Sequence, residues 1–297
     1  GYFENVHHQV QFYHADLTDS RTIDMIMYNH QFDYVYHFAA YAAVGLSPFI
    51  RNFNYQNNLI GSINLINLSV LHKIKCFVFT SSIAVYGEGQ LPMKEDLTPI
   101  PEDPYGISKF AVEMDLKCAK EMFDLDYIIF RPHNVYGEYQ NIGDRYRNVI
   151  GIFMNQLLKG EPLTIFGDGK QTRAFSYIDD VAPYIAESVN IKDAYNEIFN
   201  IGGDIDYSVN DLAKTTMEVM NLNQEINYQP ARNEVLHAYS DHTKAKKVFS
   251  LNDSSFTDLK SGLRKMANWV NEVGSRESSY FGEIEIHEKL PPIWTKL

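Results

Sequence analysis

Short apolar runs alternate with longer amphipathic stretches through the first two thirds of the chain. Alternation of this kind is typical of βαβ units and predicts a parallel sheet. The predicted strands cover residues 11–14, 33–39, 75–80, 127–131 and 197–201. After residue 200 the pattern changes and predicts helices over residues 208–220, 241–249 and 256–273. The expected fold class is therefore α/β, with a parallel sheet followed by a smaller α/β lobe.

Two helices are predicted between these strands. Residues 57–72 carry apolar side chains three to four positions apart, as a helix buried on one face requires. These are Leu59, Ile63, Ile66 and Val70. The pair Asp103-Pro104 predicts the start of a second helix running to about residue 123, because Asp favours the N-cap and Pro the first helical position. Ligands of such sheets bind beyond the carboxyl ends of the strands, so the site is expected there.

Composition narrows the class of protein. The chain has 297 residues with 26 Lys+Arg against 38 Asp+Glu, a net charge of −12, which argues against non-specific binding to nucleic acid. Its two cysteines, Cys76 and Cys118, exclude a disulfide scaffold and are both expected to be buried thiols of a reducing compartment. The sequence shows neither a membrane-spanning apolar run nor a secretory leader, which predicts a cytoplasmic protein. No metal site is predicted.

The most specific chemical signal is Tyr105-Gly106-Ile107-Ser108-Lys109 on the second predicted helix. Residues four apart share a helix face, so the ammonium of Lys109 can favour the ionised form of the Tyr105 phenol. Ser82, just after a predicted strand, is placed to hydrogen-bond the substrate hydroxyl that Tyr105 deprotonates. On its own, however, a Tyr and a Lys at this spacing are more often unrelated surface residues.

Motifs along most of the chain resemble the extended short-chain dehydrogenase/reductase family, and within it the NAD-dependent nucleotide-sugar epimerases of the UDP-glucose 4-epimerase type. In family order they are Asp16 to Asp19, His37 to Ala40, Asn57 to Ser62, Thr80 to Gly87, Tyr105 to Lys109, Arg131 to Gly137, Phe166 to Asp180 and Asn200 to Gly203. The resemblance implies a Rossmann-type doubly wound parallel sheet. It also implies an NAD-binding domain over residues 1–145 plus about 173–203, and a nucleotide-sugar-binding domain over 146–172 plus 204–297.

The resemblance assigns roles to individual residues. Those implied to bind NAD are Asp16, Leu17, Phe38, Ala39, Ala40, Asn58, Ser81, Tyr105, Lys109 and His133. Those implied to bind the UDP-sugar are Ser82, Asn134, Asn148, Val149, Thr164, Phe166, Arg173, Arg232 and Glu234. Tyr105, Lys109 and Ser82 are implied to be catalytic. The two arginines explain how an acidic chain would hold a diphosphate, because a guanidinium makes charge-assisted contacts to phosphate.

Departures from the family pattern favour one reaction. Related dehydratases carry an Asp-Glu pair after the active-site hydroxyl residue, whereas this chain has Ile83-Ala84, and neither can donate the proton that expels a hydroxyl. The remaining chemistry is epimerisation at C4. Small Ala238 suggests room for an N-acetyl group, and Ala42 replaces a Lys that is common in the family.

The front of the chain also departs from the family. No glycine-rich turn precedes Asp16, so the chain is expected to be N-terminally truncated, with its first βαβ unit incomplete.

The predicted function is therefore interconversion of UDP-glucose and UDP-galactose by an NAD-dependent 4-epimerase. One alternative is another nucleotide-sugar enzyme, such as a UDP-glucuronate 4-epimerase or a reductase. An alternative of another class is an inactive protein that only binds a nucleotide sugar or a partner, which the missing glycine turn would favour. The resemblance further implies a homodimer in which helices 57–72 and 104–123 of two chains pair.

Overall fold

The computed structural model describes residues 3–232, 234–251, 256–278 and 280–295. The strands, in chain order, are β1 (Tyr34–His37), β2 (Cys76–Thr80), β3 (Tyr127–Pro132), β4 (Val135–Tyr136), β5 (Leu163–Phe166), β6 (Thr172–Ala174), β7 (Ser176–Tyr177), β8 (Glu197–Ile201), β9 (Asp206–Ser208), β10 (Ile226–Gln229) and β11 (His237–Ala238). The α-helices are α1 (Ser20–His30), α2 (Arg51–Tyr55), α3 (Gly61–Leu71), α4 (Pro104–Phe123), α5 (Val149–Lys159), α6 (Ala182–Glu187), α7 (Val209–Met220), α8 (Thr243–Phe249) and α9 (Leu259–Val273).

The central sheet has four strands in the order β1-β2-β3-β8, and every neighbouring pair is parallel. Strands β2 and β3 consist almost entirely of buried residues. This is expected of parallel strands with helices on both faces, because neither face then meets water. The predicted parallel α/β architecture is confirmed.

One predicted strand is wrong and another is shorter than predicted. Residues 11–14 are exposed and form no strand, because no other strand in the described part of the chain lies beside them, and a strand persists only when its backbone groups are paired. Residues 33–39 contain only β1, since the ladder with β2 ends where His37 pairs with Phe79.

The helices follow the sequence signals more closely. Helix α4 spans the predicted residues, and the Asp103 side chain caps it by accepting a hydrogen bond of 3.0 Å from the Gly106 N–H. Residues 57–72 belong to a longer helical run that begins at Arg51 and includes a π-helical turn, Gln56–Ile60, before α3. Helices α1 and α5 were not predicted by the apolar spacing.

Three of the five apolar clusters in the described part of the chain hold most of the helices in place. One packs α1, α3 and α4 against one face of the sheet, and a second packs α6 and α8 against the other face. The third joins α5, α7 and α9 around Phe153, Leu212 and Leu263. Cys76 is buried in the sheet as predicted, whereas the prediction for Cys118 is wrong, because it lies on the exposed face of α4. None of the described helices is long and apolar enough to cross a membrane.

Candidate active site

A cleft of about 360 Å³ lies beyond the carboxyl ends of β2 and β3. Ser82, which follows β2, and His133 and Asn134, which follow β3, form part of its wall. Ten of the residues predicted from the sequence line it: Ser82, His133, Asn134, Asn148, Val149, Thr164, Phe166, Arg173, Arg232 and Glu234. Open parallel sheets bind their ligands at this edge, so the cleft lies where the fold predicts it.

Ser82 and Tyr105 meet at one end of the cleft, which we call the reacting end. The Ser82 hydroxyl caps a short 3-10 turn by accepting a hydrogen bond of 3.1 Å from the Ala84 N–H. This turn packs directly against the first turn of α4, where Gly106 leaves it room, since a Cβ on Gly106 would lie 2.5 Å from the Ala84 carbonyl oxygen. The close approach brings Ser82 within hydrogen-bonding reach of the Tyr105 phenol.

The Tyr105 phenol is buried, and burial raises its pKa to about 12. The hydrogen bond with Ser82 and the guanidinium of Arg147 act in the opposite direction, and Asp103 adds to the increase in pKa. The phenol is therefore protonated at neutral pH, and added positive charge would bring it closer to ionisation.

Lys109 lies one helical turn from Tyr105 and is also buried. Its ammonium donates a hydrogen bond of 2.7 Å to the Thr80 carbonyl and lies 5.9 Å from the centre of the Tyr105 ring. Burial lowers the pKa of Lys109 to about 7, against the opposing effect of Glu113. An ammonium has three donors, so Lys109 can bind ligand hydroxyls in addition to Thr80.

The far end of the cleft, which we call the nucleotide end, is made of aromatic rings and arginines. The Arg232 guanidinium lies 3.9 Å above the Phe166 ring, and Trp294 packs against the same ring with centroids 5.7 Å apart. Glu234 lies 3.3 Å from Arg232 and 3.9 Å from Arg173, so two guanidiniums share one carboxylate. The Arg232 Nε atom is buried and has no hydrogen-bond partner within the described ranges. This arrangement has cationic capacity for a phosphate group.

Four further predicted residues form the wall between the two ends. Asn134, in a left-handed conformation, donates a hydrogen bond of 2.9 Å to the Ala174 carbonyl. Asn148, also left-handed, precedes Val149 at the start of α5. The Thr164 hydroxyl accepts a hydrogen bond of 2.9 Å from the Gln156 amide.

Nine residues implied to bind NAD do not line this cleft: Asp16, Leu17, Phe38, Ala39, Ala40, Asn58, Ser81, Tyr105 and Lys109. Of these, Tyr105 contacts the lining residue Ser82. Asn58 instead clamps the backbone of Tyr41, with hydrogen bonds of 2.8 and 3.1 Å to its N–H and carbonyl. The Ser81 hydroxyl donates to Glu113. The side chains of Asn58 and Ser81 are thus engaged within the protein.

Asp16 and Leu17 lie near the start of α1. The Asp16 carboxylate accepts two hydrogen bonds of 2.8 Å from Thr18, and Leu17 lies against Gly61. Phe38 and Ala39 are exposed after β1, and Ala40 is half-buried. None of these five residues contributes to the lining of the cleft.

Sequence reasoning missed several residues of the cleft. Residues 144–147 contribute two arginines, Arg145 and Arg147, and Trp294 comes from the tail, for which no role was predicted. The run of charged and aromatic residues just before Asn148 was a usable signal for the first group. No local pattern marked Trp294.

The sequence model of the NAD dependent epimerase/dehydratase family matches residues 2–202. The chain belongs to this family.

Individual members of this family are similar over most of their length. A UDP-glucose 4-epimerase of Halalkalibacterium halodurans is 34% identical over 225 residues, which are 71% of this chain and 67% of the relative. The crystal structure of the UDP-glucose 4-epimerase of Thermotoga maritima with UDP-glucose has a TM-score of 0.86 and 32% identity, covering 92% of this chain and 88% of that one. The UDP-glucose 4-epimerase of Thermus thermophilus in complex with NAD has a TM-score of 0.84 and 25% identity, covering 91% and 88%.

Membership of the family confirms three predictions from the sequence. The Rossmann-type fold, the NAD-dependent epimerase class and NAD as cofactor all agree with the matching family and its solved structures. The roles of individual residues remain predictions.

Proposed function

We propose that this family member is an NAD-dependent UDP-sugar 4-epimerase that interconverts UDP-glucose and UDP-galactose through a transient 4-keto sugar. The observation that carries the proposal is a single cleft with two distinct ends. Ser82 and Tyr105 meet at the reacting end, and Arg173, Arg232 and Phe166 form the nucleotide end. A UDP-sugar has the matching polarity, with a reacting hydroxyl at one end and a charged nucleotide at the other.

At the reacting end we assign proton transfer to Tyr105. Once the phenol is ionised by positive charge beside it, its phenolate oxygen accepts the proton of the sugar C4 hydroxyl as C4 is oxidised and returns it when C4 is reduced again. Ser82 hydrogen-bonds the same hydroxyl and the phenol, which orients both. The 4-keto sugar must turn its other face to the cofactor before reduction, which inverts the configuration at C4.

The residues at the reacting end fit the nicotinamide half of NAD. Lys109 presents a buried ammonium beside Tyr105, suited to the ribose hydroxyls and to stabilising a phenolate. When bound, NAD supplies the oxidation at C4 and its reversal, and is regenerated. We assign the Asn58 side chain an indirect role in cofactor binding, because it hydrogen-bonds the backbone of Tyr41 and does not line the cleft.

The residues after Ser82 support epimerisation over dehydration. Ile83 is buried and Ala84 lines the cleft, and neither side chain can carry a proton to a leaving hydroxyl. The keto sugar would therefore keep its C6 hydroxyl and return to a hexose.

We also propose the two-domain division predicted from the sequence. The packing of α1, α3, α4, α6 and α8 on the central sheet supports an NAD-binding unit. The cluster joining α5, α7 and α9 supports a separate nucleotide-sugar-binding unit.

A homodimer is proposed from the outer face of α4. Ile107, Met114, Cys118 and Met122 lie on this face and are exposed. Their spacing forms an apolar stripe that a second copy could cover. We propose a cytoplasmic location, supported by the two unpaired cysteines.

UDP-glucuronate 4-epimerisation is a second candidate function. Arg145 and Arg147 line the cleft, and the Arg145 Nη1 atom is buried without a hydrogen-bond partner in the ranges the structure describes. A sugar carboxylate would satisfy such a guanidinium, whereas a neutral C6 hydroxyl would do so less well.

Product analysis tests these proposals. The chain is incubated with NAD and with UDP-glucose, UDP-N-acetylglucosamine or UDP-glucuronate in parallel, and the sugars are identified by proton NMR. We expect UDP-galactose from UDP-glucose. Tyr105→Phe should lower the rate by about 10²–10⁴-fold, the usual contribution of a positioned acid-base group.

Calorimetric titration with UDP supplies the control. Because Tyr105 lies at the opposite end of the cleft from Arg232, Tyr105→Phe should bind UDP as the unaltered chain does. A galacto product from UDP-glucuronate alone would establish the second candidate function. UDP binding with no product from any of the sugars would contradict epimerisation and establish a nucleotide-sugar-binding protein.

A further inference from the structure

Two buried imidazoles meet at the wall of the cleft, where one of them, His133, is a lining residue. His133 follows β3 and His242 precedes α8, and each is only 2% exposed. Their Nε2 atoms lie 2.9 Å apart, within hydrogen-bonding distance. Gly202 leaves the space for this contact, since a Cβ there would lie 2.8 Å from the His133 Nε2 atom.

A hydrogen-bond acceptor lies beside the outer nitrogen of each histidine in this pair. His242 Nδ1 lies 2.7 Å from a carboxylate oxygen of Asp204, and His133 Nδ1 lies 3.2 Å from the Ala174 carbonyl oxygen. The row of contacts therefore contains three hydrogen bonds, each of which needs an N–H. Two neutral imidazoles provide only two N–H groups between them. The geometry thus calls for one additional proton on the pair.

The neighbouring hydroxyls do not replace this proton. The Ser176 hydroxyl is 3.4 Å from His133 Nδ1, but it donates to the His133 carbonyl at 3.0 Å and accepts from the Gly203 N–H at 3.0 Å. Ser240 lies 3.0 Å from His242 Nε2 and could donate to it if that nitrogen were unprotonated. His133 would then have to donate from Nε2, and its Nδ1 lone pair would face the Ala174 oxygen.

The charges around the pair place the additional proton on His242. Asp204 faces it directly, its pKa lowered to about 2 by the hydrogen bond with His242, and Lys246 from α8 pairs with the other Asp204 oxygen at 2.6 Å. Asp241 is adjacent to His242 in the chain, and its carboxylate also interacts electrostatically with Lys94. Burial lowers the pKa of His133 to about 3, so His133 stays neutral.

We propose that His242 is a positioning residue, which as an imidazolium donates to His133 and fixes it in the tautomer whose Nδ1–H bonds the Ala174 carbonyl. The same carbonyl accepts a hydrogen bond of 2.9 Å from the Asn134 amide. The Ala174 carbonyl therefore positions both the His133 ring and the Asn134 side chain. The inference rests on the proposed function to the extent that Asn134 is assigned to the UDP-sugar.

Nitrogen-15 NMR of the imidazoles tests the proton count directly and needs no turnover. In the ligand-free chain, in the buffer used for the UDP titration, His242 should carry protons on both nitrogens and His133 on Nδ1 only. The signal of the imidazolium should disappear in His242→Gln. Spectra with both imidazoles neutral in that buffer would overturn the proposal.

A pair of variants separates positioning from general destabilisation. A Gln side chain at position 242 places an amide N–H near the original Nε2 and can still donate to His133, whereas Asn reaches only the Asp204 side. His242→Asn should weaken UDP binding by about tenfold, equivalent to about 1.4 kcal/mol, and His242→Gln by much less. The exposed His237 provides a matched control, and His237→Gln should leave UDP binding unchanged.

Equal weakening of UDP binding in both His242 variants, at equal stability, would contradict the positioning role. Because the readouts are proton count and UDP affinity, they stand whether or not the chain epimerises a sugar. Absence of product in the NMR assay would count against the proposed function alone.

Discussion

The two ends of the cleft are built in different ways. At the reacting end, Tyr105 and Lys109 are one helical turn apart on α4, and Ser82 follows β2 in a capped turn. At the nucleotide end, Phe166, Arg232 and Trp294 come from three segments far apart in the chain. The first arrangement is set by local helix and strand geometry, whereas the second exists only when distant segments pack together.

This difference predicts which substitutions should change turnover and which should change UDP affinity. A small displacement of the turn at Ser82 changes the geometry of proton transfer without disturbing the distant arginines. Conversely, a change at Arg232 alters the charge available to a phosphate and leaves Tyr105 in place. Turnover and UDP affinity are therefore expected to be separable by mutation.

Gly106→Ala should have the largest effect. The added Cβ would lie 2.5 Å from the Ala84 carbonyl oxygen, so the turn that carries Ser82 must move. We expect turnover to fall by about a hundredfold, as for a displacement of about 1 Å in a reacting geometry. The free energy of unfolding should fall by about 1–3 kcal/mol, the usual cost of overpacking, as measured by chemical denaturation.

Gly282→Ala is the matched control for this substitution. No atom lies within 4 Å of the position that its Cβ would occupy, so neither turnover nor stability should change appreciably. UDP affinity should be unaffected in both variants. Full turnover in Gly106→Ala would show that the close contact between this turn and α4 is not required.

Arg232→Leu should produce the next largest effect, and it should change UDP affinity rather than turnover. Loss of a charge-assisted hydrogen bond of about 1.5–3 kcal/mol should raise the Kd for UDP by about ten- to a hundredfold. The rate at saturating substrate should change little, because Tyr105 and Ser82 are untouched. Titration calorimetry and initial rates give the two quantities.

Arg264→Leu, a change at an exposed position of α9, serves as the comparison and should leave the Kd unchanged. A reduced rate with unchanged UDP affinity in Arg232→Leu would reverse our assignment of the two ends.

The smallest effect concerns pH and the buried base His37, which lies beneath the reacting end. Burial, with Lys109 nearby, lowers the pKa of His37 to about 3. The unfolded chain takes up this proton near pH 6.5 and the folded chain does not, so the free energy of unfolding falls as the pH decreases from 6.5 towards 3. In His37→Leu the free energy of unfolding should fall less steeply with decreasing pH. The slope should be smaller by up to about 1.4 kcal/mol per pH unit.

Denaturation curves at several pH values measure this slope. His237→Leu, at an exposed position, should leave the slope as in the unaltered chain. An unchanged slope in His37→Leu would mean that His37 is protonated in the folded state.

Prediction from the sequence succeeded where structure depends on local spacing. The N-cap and proline at residues 103–104 gave the start of α4, and the separation of Tyr105 and Lys109 gave their common face. It failed for residues 11–14, because a short apolar run cannot reveal whether a neighbouring strand is present. Cys118 was misjudged for a similar reason, since an apolar residue type does not state which helix face it occupies.

The predictions for the site residues show the same division between local patterns and tertiary contacts. Matching motifs predicted that Ser82, Asn134 and Arg232 bind one ligand, and in the structure all three line one cleft. The motifs did not reveal that the Asn58 and Ser81 side chains are engaged within the protein. They also gave no sign of the pair formed by His133 and His242, which are 109 residues apart.

The sequence by itself therefore determined the parallel α/β fold and the spacing of the reacting groups. Periodicity, capping and helix register act over a few residues and can be read directly. Only the tertiary structure decided which arginines share the carboxylate of Glu234, which ring packs against Phe166 and which two histidines meet at the cleft wall. Those features depend on burial and on hydrogen bonds between distant segments, whose energies arise only once the chain has packed.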